Sequence, residues 1–250
     1  MRHRTLAFSS TGSAFLRDHS QLEKWGDHPE LLQGPICEVS LTADADEYVW
    51  QVTACGVVKC THASDFRSAT RKAGVRSIDL DEGDRLAAAF VLAERSRDAD
   101  VVIVTAGGIA TRFSSEDVRP MVRLARGVRG ISLAAGDAGE PADEVAAAFP
   151  VAVGHADCSI GVLTASRHAI RFPASDLSVH GRGFTGVIAC RTTTETGPVT
   201  FAATLLANGH AVNQLSPRQW VQVPWATVPV RRRRTGKWLR IEQSASPGST

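Results

Sequence analysis

The chain has 250 residues, 43% of them hydrophobic, and a formal net charge of +2 at neutral pH. This suits one large domain or one ring of repeats, and the mildly basic balance falls short of the excess that marks a nucleic-acid binder by charge alone. Cys37, Cys55, Cys60, Cys158 and Cys190 are scattered and odd in number, which argues against a disulfide framework and for reduced thiols in a cytosol. No apolar run reaches the roughly 20 residues of a membrane span, and Ser9, Ser10, Thr11 and Gly12 interrupt any apolar stretch of a secretion signal.

In chain order, the first predicted element is a hairpin over 6–15, with His19-Ser20-Gln21-Leu22 as its connection. A second hairpin starts near 49. Val52-Thr53-Ala54-Cys55-Gly56-Val57-Val58-Lys59 reads as an apolar strand, a tight turn and a return strand. The connection Ser64-Asp65-Phe66 follows, then Gly74-Val75-Arg76-Ser77-Ile78-Asp79-Leu80-Asp81-Glu82-Gly83-Asp84. There Val, Ile and Leu alternate with the period of a half-buried strand, and Gly-Asp closes a turn. The stretch 85–94 is rich in alanine and could be helical. Because it follows the Gly-Asp turn, we expect a strand.

The pattern then returns. A third hairpin, starting near 101, contains Val104-Thr105-Ala106-Gly107-Gly108-Ile109-Ala110-Thr111-Arg112-Phe113. After Ser114-Ser115-Glu116-Asp117-Val118 comes Gly127-Val128-Arg129-Gly130-Ile131-Ser132-Leu133-Ala134-Ala135-Gly136-Asp137, which agrees with the earlier copy at seven of eleven positions. The segment 143–149 is expected as the strand after it. A fourth hairpin, starting near 160, contains Leu163-Thr164-Ala165-Ser166-Arg167-His168-Ala169-Ile170-Arg171-Phe172, followed by Ser175-Asp176-Leu177. A divergent fifth is expected near 201, with Asn208-Gly209 as its turn. Repeats at intervals of about 40–60 residues suit propeller blades of four short strands.

These residues resemble a known repeat. The hairpin followed by Arg71-Lys72-Ala73-Gly74-Val75-Arg76-Ser77-Ile78-Asp79-Leu80-Asp81-Glu82-Gly83-Asp84 is similar to the repeat of the C-terminal domain of bacterial DNA gyrase A and its topoisomerase IV counterpart, and Arg182-Gly183-Phe184-Thr185-Gly186-Val187 is a shorter version. The resemblance covers residues 1–240 and is clearest over 48–190. It implies an all-β fold, a β-pinwheel or β-propeller-like disc of five to six four-stranded blades. The disc occupies 1–242 as one domain, and 243–250 form a flexible tail. It also implies non-catalytic, largely sequence-independent binding of double-stranded DNA, bent or partly wrapped on a basic rim, alongside a topoisomerase core in the cytoplasm and nucleoid. Neither a cofactor nor a metal is implied. The lone tyrosine, Tyr48, lies in no segment similar to a cleavage site, and no phosphate loop for ATP is present. The family's Gln-led, Gly- and basic-rich box has its nearest counterpart in Arg232-Arg233-Arg234-Thr235-Gly236-Lys237, which lacks the leading Gln and a paired glycine.

Wrapping needs cations spaced along a curved surface, each neutralised phosphate releasing counterions. The candidates are Arg71, Lys72 and Arg76, then Arg112, Arg119, Arg123, Arg126 and Arg129, then Arg167, Arg171 and Arg182, and finally Arg231, Arg232, Arg233, Arg234 and Lys237. Trp238 is expected in the core. Cys55, Cys60 and His62 lack a fourth metal ligand at suitable spacing. The main alternative is a protein-interaction propeller without DNA binding, whose basic side chains would be paired with Asp and Glu. A propeller hydrolase would instead gather polar residues in a central pocket.

Overall fold

A hairpin turn of one design opens each of the first four repeats. The structure, a computed structural model, describes residues 3–18, 31, 35–42, 46–70, 73–93, 99–134, 143–154, 158–205, 211–216, 219–231 and 237–241. The four turns are Ser9-Ser10-Thr11-Gly12, Thr53-Ala54-Cys55-Gly56, Thr105-Ala106-Gly107-Gly108 and Thr164-Ala165-Ser166-Arg167. In each, the fourth residue takes a positive φ: 81° at Gly12, 85° at Gly56, 82° at Gly108 and 60° at Arg167. Its N–H donates to the carbonyl of the first residue at 2.9–3.1 Å. The first residue's hydroxyl accepts from the N–H beyond the turn, that of Ser13, Val57, Ile109 or His168, at 3.1–3.2 Å. A short hydroxyl at the first position and glycine at the fourth are therefore what the turn asks for. Arg167 meets the second requirement at a steric cost of about 1–2 kcal/mol.

The strands joined by these turns are β1 (His3–Phe8) and β2 (Ser13–Asp18), β4 (Glu47–Thr53) and β5 (Val57–His62), β8 (Ala99–Thr105) and β9 (Ile109–Ser114), and β12 (Ser159–Thr164) and β13 (His168–Pro173). The strand after each hairpin pairs with its first strand: β3 (Cys37–Thr42) with β1, β7 (Leu86–Ala93) with β4, β11 (Val145–Ala152) with β8, and β15 (Val199–Leu205) with β12. The alanine-rich segments are strands, as expected.

The fourth strand of each sheet comes from the following repeat. The Gly-Val-Arg motif, read from sequence as a strand of its own repeat, reduces to the two-residue strands β6 (Val75–Arg76) and β10 (Val128–Arg129). These pair with β2 and β5, respectively, one blade back. β14 (Val187–Ile188) and β18 (Leu239–Arg240) likewise complete the sheets of β9 and β13. Among the described residues the result is four antiparallel sheets, ordered β3-β1-β2-β6, β10-β5-β4-β7, β11-β8-β9-β14 and β15-β12-β13-β18. The motif then turns inward: Ile78 and Ile131 are buried, and their Cγ2 atoms would lie 2.9 and 2.7 Å from a Cβ at Gly12 and Gly56.

The fifth repeat departs from expectation. Residues 199–205 close the fourth sheet as β15, and the fifth hairpin forms further on, from β16 (Ala211–Ser216) and β17 (Gln219–Val223). The expected turn at Asn208-Gly209 lies outside the described residues, as does the tail from 242 onward. Thus four blades have four strands, and the fifth is a two-stranded hairpin among the described residues.

Neighbouring blades pack in sequence through β3, β7, β11 and β15. These strands line the inside of the ring, and β6, β10, β14 and β18 lie at its outer edge. Central strands are buried on both faces, so β8 runs as the near-continuous apolar Ala-Asp-Val-Val-Ile-Val-Thr. Backbone bonds also lock blade to blade: Leu86 N–H to Ser10 O, Val145 N–H to Ala54 O and Val199 N–H to Ala106 O, all at 2.9 Å.

Candidate nucleic-acid interface

The outer edge strands place one residue at the same register position in each blade. Arg76 pairs with Ser13, Arg129 with Val57, Ile188 with Ile109 and Arg240 with His168. Three of the four are exposed arginines. A second set of arginines reaches them from the next repeat. Met121 N–H donates to Cys60 O and His180 N–H to Arg112 O, so the two connecting segments are equivalent. Two residues on, Arg123 donates to the carbonyl of Arg76, and Arg182 donates to the carbonyl of Arg129 at 3.4 Å and to that of Asp117 at 3.1 Å. The outer edge thus carries two successive arginine couples, each built from neighbouring repeats. Exposed Arg126 joins the first couple but is held by Asp81 at 2.9 Å, and Arg76 has Asp79 at 3.7 Å. Arg119 is exposed.

Two candidates are interior instead. Arg171 is 8% exposed, its Nε on Ser159 Oγ at 2.6 Å and its Nη1 on the Trp225 carbonyl at 3.2 Å. Arg112, the equivalent residue of the preceding blade, pairs with Asp100 at 2.7 Å and donates to the carbonyls of Ala174 and Leu177. Both guanidiniums join one blade to a turn of the next. Their burial sets them apart from the exposed candidates.

Lys59 is a third interior cation, fully buried, with its ammonium on the carbonyls of Ser77 and Arg123. Burial, helped by the nearby Arg123 charge, pulls its pKa down to about 8. The folded state therefore bears a penalty below pH 8 that is relieved as pH rises from 8 toward the ordinary 10.5. Relative to Lys59→Met, the wild-type chain should gain on the order of 3 kcal/mol across that window, measured by urea unfolding at several pH values. Buried thiols such as Cys190, pushed up to about 12 by burial, act in the opposite direction but cancel in the difference. A flat difference would show that the ammonium is not desolvated.

Of the remaining candidates, Arg231 and Lys237 are exposed at the outer side of the fourth blade, where Arg231 N–H donates to Arg171 O at 2.8 Å. Arg71, Lys72, Arg232, Arg233 and Arg234 lie outside the described residues. Trp238 is half-buried against the core of the third and fourth blades, and its Nε1 donates to Arg191 O at 2.9 Å. Sequence reading passed over Arg240 and Arg191. Aligning Trp238-Leu239-Arg240-Ile241 with Gly-Val-Arg-x would have found the first. Cys55 is exposed on its turn, Cys60 is buried in the core and His62 is bound to Asp46 at 2.8 Å. Asp84 caps a turn, its Oδ1 accepting from Cys55 N–H at 3.0 Å and Arg85 N–H at 2.7 Å. Its structural equivalent is Asp143, which binds Gly107 and Glu144 the same way, while Asp137 lies outside the described residues.

The family model of the DNA gyrase C-terminal domain, a β-propeller, matches residues 52–93, 99–152 and 163–204, together more than half of the chain. The chain belongs to the DNA gyrase C-terminal domain family. Each matched segment begins in a hairpin and ends in an inner strand, so the family's repeat and the second, third and fourth blades share one unit. The DNA gyrase A protein of Pseudomonas aeruginosa is 32% identical over 189 residues, 75% of this chain and 19% of that protein. The DNA gyrase A protein of Chlamydia trachomatis serovar D is 45% identical over 87 residues, 35% of this chain and 10% of that protein. The chain therefore spans a tenth to a fifth of the length of these relatives. The solved DNA gyrase A C-terminal domain superposes with a TM-score of 0.76 at 19% identity, covering 98% of this chain and 79% of that one. The C-terminal domain of DNA topoisomerase IV gives 0.74 at 16%, covering 96% and 75%. The match lies in the non-catalytic module of the gyrase family.

Proposed function

We propose that the chain binds double-stranded DNA on its outer edge, bends or partly wraps it without regard to sequence, and works beside a topoisomerase core on the nucleoid. The observation that carries this reading is the recurrence of exposed arginines at one register position of the outer strands, Arg76, Arg129 and Arg240, with Arg123 and Arg182 reaching the first two from the next repeat. Cations repeated along a convex edge meet phosphates along a bent duplex. Short edge strands offer neither a helix nor a long ribbon to enter a groove, so base reading is not expected. Bending a site of about 20–30 base pairs costs of order 1–6 kcal/mol, which repeated phosphate contacts must offset.

The test is a gel-shift titration with linear duplexes of increasing length at two salt concentrations. Affinity should rise with length and fall steeply with salt. The double variant Arg76→Gln/Arg129→Gln should bind more weakly and lose about 0.9 of salt slope per residue, close to 2 in all. Neutralising 231–234 together should also lower the slope.

A second reading, a protein-interaction surface, draws support from the pairing of Arg126 with Asp81 and of Arg85 with Glu144 at 2.7 Å. No binding of any duplex at low salt would select it.

A further inference from the structure

We propose that the hairpin turn of the fourth blade is a phosphate site, formed by Arg167, Arg240 and the N–H of Ser166. The ligand is a phosphate of the bound duplex, so the inference rests on the DNA-binding reading and gives it a specific anchor.

Four turns share one geometry, and three fill its left-handed position with glycine. The fourth holds Arg167 there at φ 60°. Strain of this kind persists where the side chain has a use. Arg167 O still accepts from Ile241 N–H at 2.8 Å, as Gly56 O accepts from Gly130 N–H, so the turn keeps its structural bonds despite the strain.

In the second and third blades a carboxylate sits on the turn: Asp84 accepts from Cys55 N–H and Asp143 from Gly107 N–H. These turns are built to bind an anionic oxygen and supply their own. In the fourth blade the equivalent residue is Gly197, placed by the bond from Ala165 N–H to Pro198 O, which matches Ala54 N–H to Arg85 O. A Cβ on Gly197 would lie 3.1 Å from Ser166 Oγ, so this glycine borders the turn closely. Here the turn N–H, that of Ser166, is paired with no carboxylate among the described residues. An external phosphate oxygen can take the role that Asp84 and Asp143 fill elsewhere.

Arg240 pairs with His168 across β13 and β18, one residue from Arg167. Three residues beyond the outer-strand register position stand Asp79 after Arg76, Ser132 after Arg129 and Arg191 after Ile188. The sequence of charges thus runs from compensated in the first blade to uncompensated at the third and fourth. Arg191 is tied to this site through Trp238, whose indole N–H holds its carbonyl two residues before Arg240. Among the described residues no carboxylate pairs with Arg167, Arg191, Arg240 or Lys237. Glu195, on the neighbouring turn, makes no ion pair with them.

Arg167→Gly separates the two roles of this residue. As a purely structural change it removes strain, so the unfolding midpoint should stay level or rise. If the turn holds a phosphate, the same variant should bind duplex DNA several-fold more weakly and lose about 0.9 of salt slope. Arg167→Gly/Arg240→Gln should lose about twice that. A folded variant with unchanged affinity and slope, against a wild-type chain that binds, overturns the phosphate site alone. A wild-type chain that binds no duplex at low salt overturns the DNA reading and this site with it.

Discussion

Replacing Gly108 by alanine should lower the unfolding free energy by about 3–5 kcal/mol. Two effects add. The residue sits at φ 82°, which costs an L side chain about 1–2 kcal/mol. The new Cβ would also lie 2.3 Å from the carbonyl oxygen of Cys190 and 3.0 Å from its sulfur. Neither can give way cheaply, because Cys190 and Ala189 both donate their N–H groups to Gly108 O, at 3.2 and 2.9 Å, and both residues are buried. Relieving the clash means drawing the incoming segment away from the turn and weakening two hydrogen bonds, each worth about 1 kcal/mol. Gly83→Ala is the control. Its φ is 78°, but nothing lies within 4 Å of the added atom, so only the conformational cost of about 1–2 kcal/mol applies. Chemical denaturation of the two variants checks the difference. Equal losses would mean that the turn and the segment beneath it are not in close contact.

Arg112→Met should be nearly as damaging, at about 3–5 kcal/mol. It removes the partner of Asp100, whose side chain is only 7% exposed, and leaves that carboxylate buried and uncompensated. It also strips donors from the carbonyls of Ala174 and Leu177 in the next blade. Adding Asp100→Asn should restore part of the loss, because the uncompensated charge is then gone, and the coupling in this cycle measures the pair. At temperatures where Arg112→Met remains folded, its DNA affinity and salt slope should match wild type. A drop in salt slope there would return Arg112 to the DNA-facing set and overturn the reading of this side chain as a staple between blades.

Much of the fold was legible because its cues are local. A hydroxyl, two small residues and a left-handed glycine recur before β2, β5 and β9, and they can be seen without a structure. The alanine-rich strands β7 and β11 were placed by what precedes them rather than by propensity. What was hidden depends on distant partners. A two-residue strand such as Val75–Arg76 has no periodicity, so its exchange into the previous blade leaves no trace in its own segment. Arg112 and Arg171 look like surface residues by type, since arginine is seldom buried without partners. Their partners are carbonyls about 55–65 residues further on, which are invisible until the blades meet. The Gly-Asp pair at 136–137 resembles that at 83–84, yet Asp143 takes the part of Asp84, because the third repeat is longer at this point.

Edge-strand exchange also bears on how the molecule is made and lost. Each sheet waits for residues that leave the ribosome well after its own hairpin: β5 finds β10 only some 65 residues later. No blade can mature alone, and synthesis must run one repeat ahead of assembly. This edge-strand dependence runs forward along the chain, while the bonds from Leu86, Val145 and Val199 run back to the preceding turn. Loss of β18 would uncover β13 in the fourth blade, whereas loss of the first hairpin would leave β10 seated on β5. Nearest-neighbour coupling of this kind makes stability a property of junctions rather than of repeats.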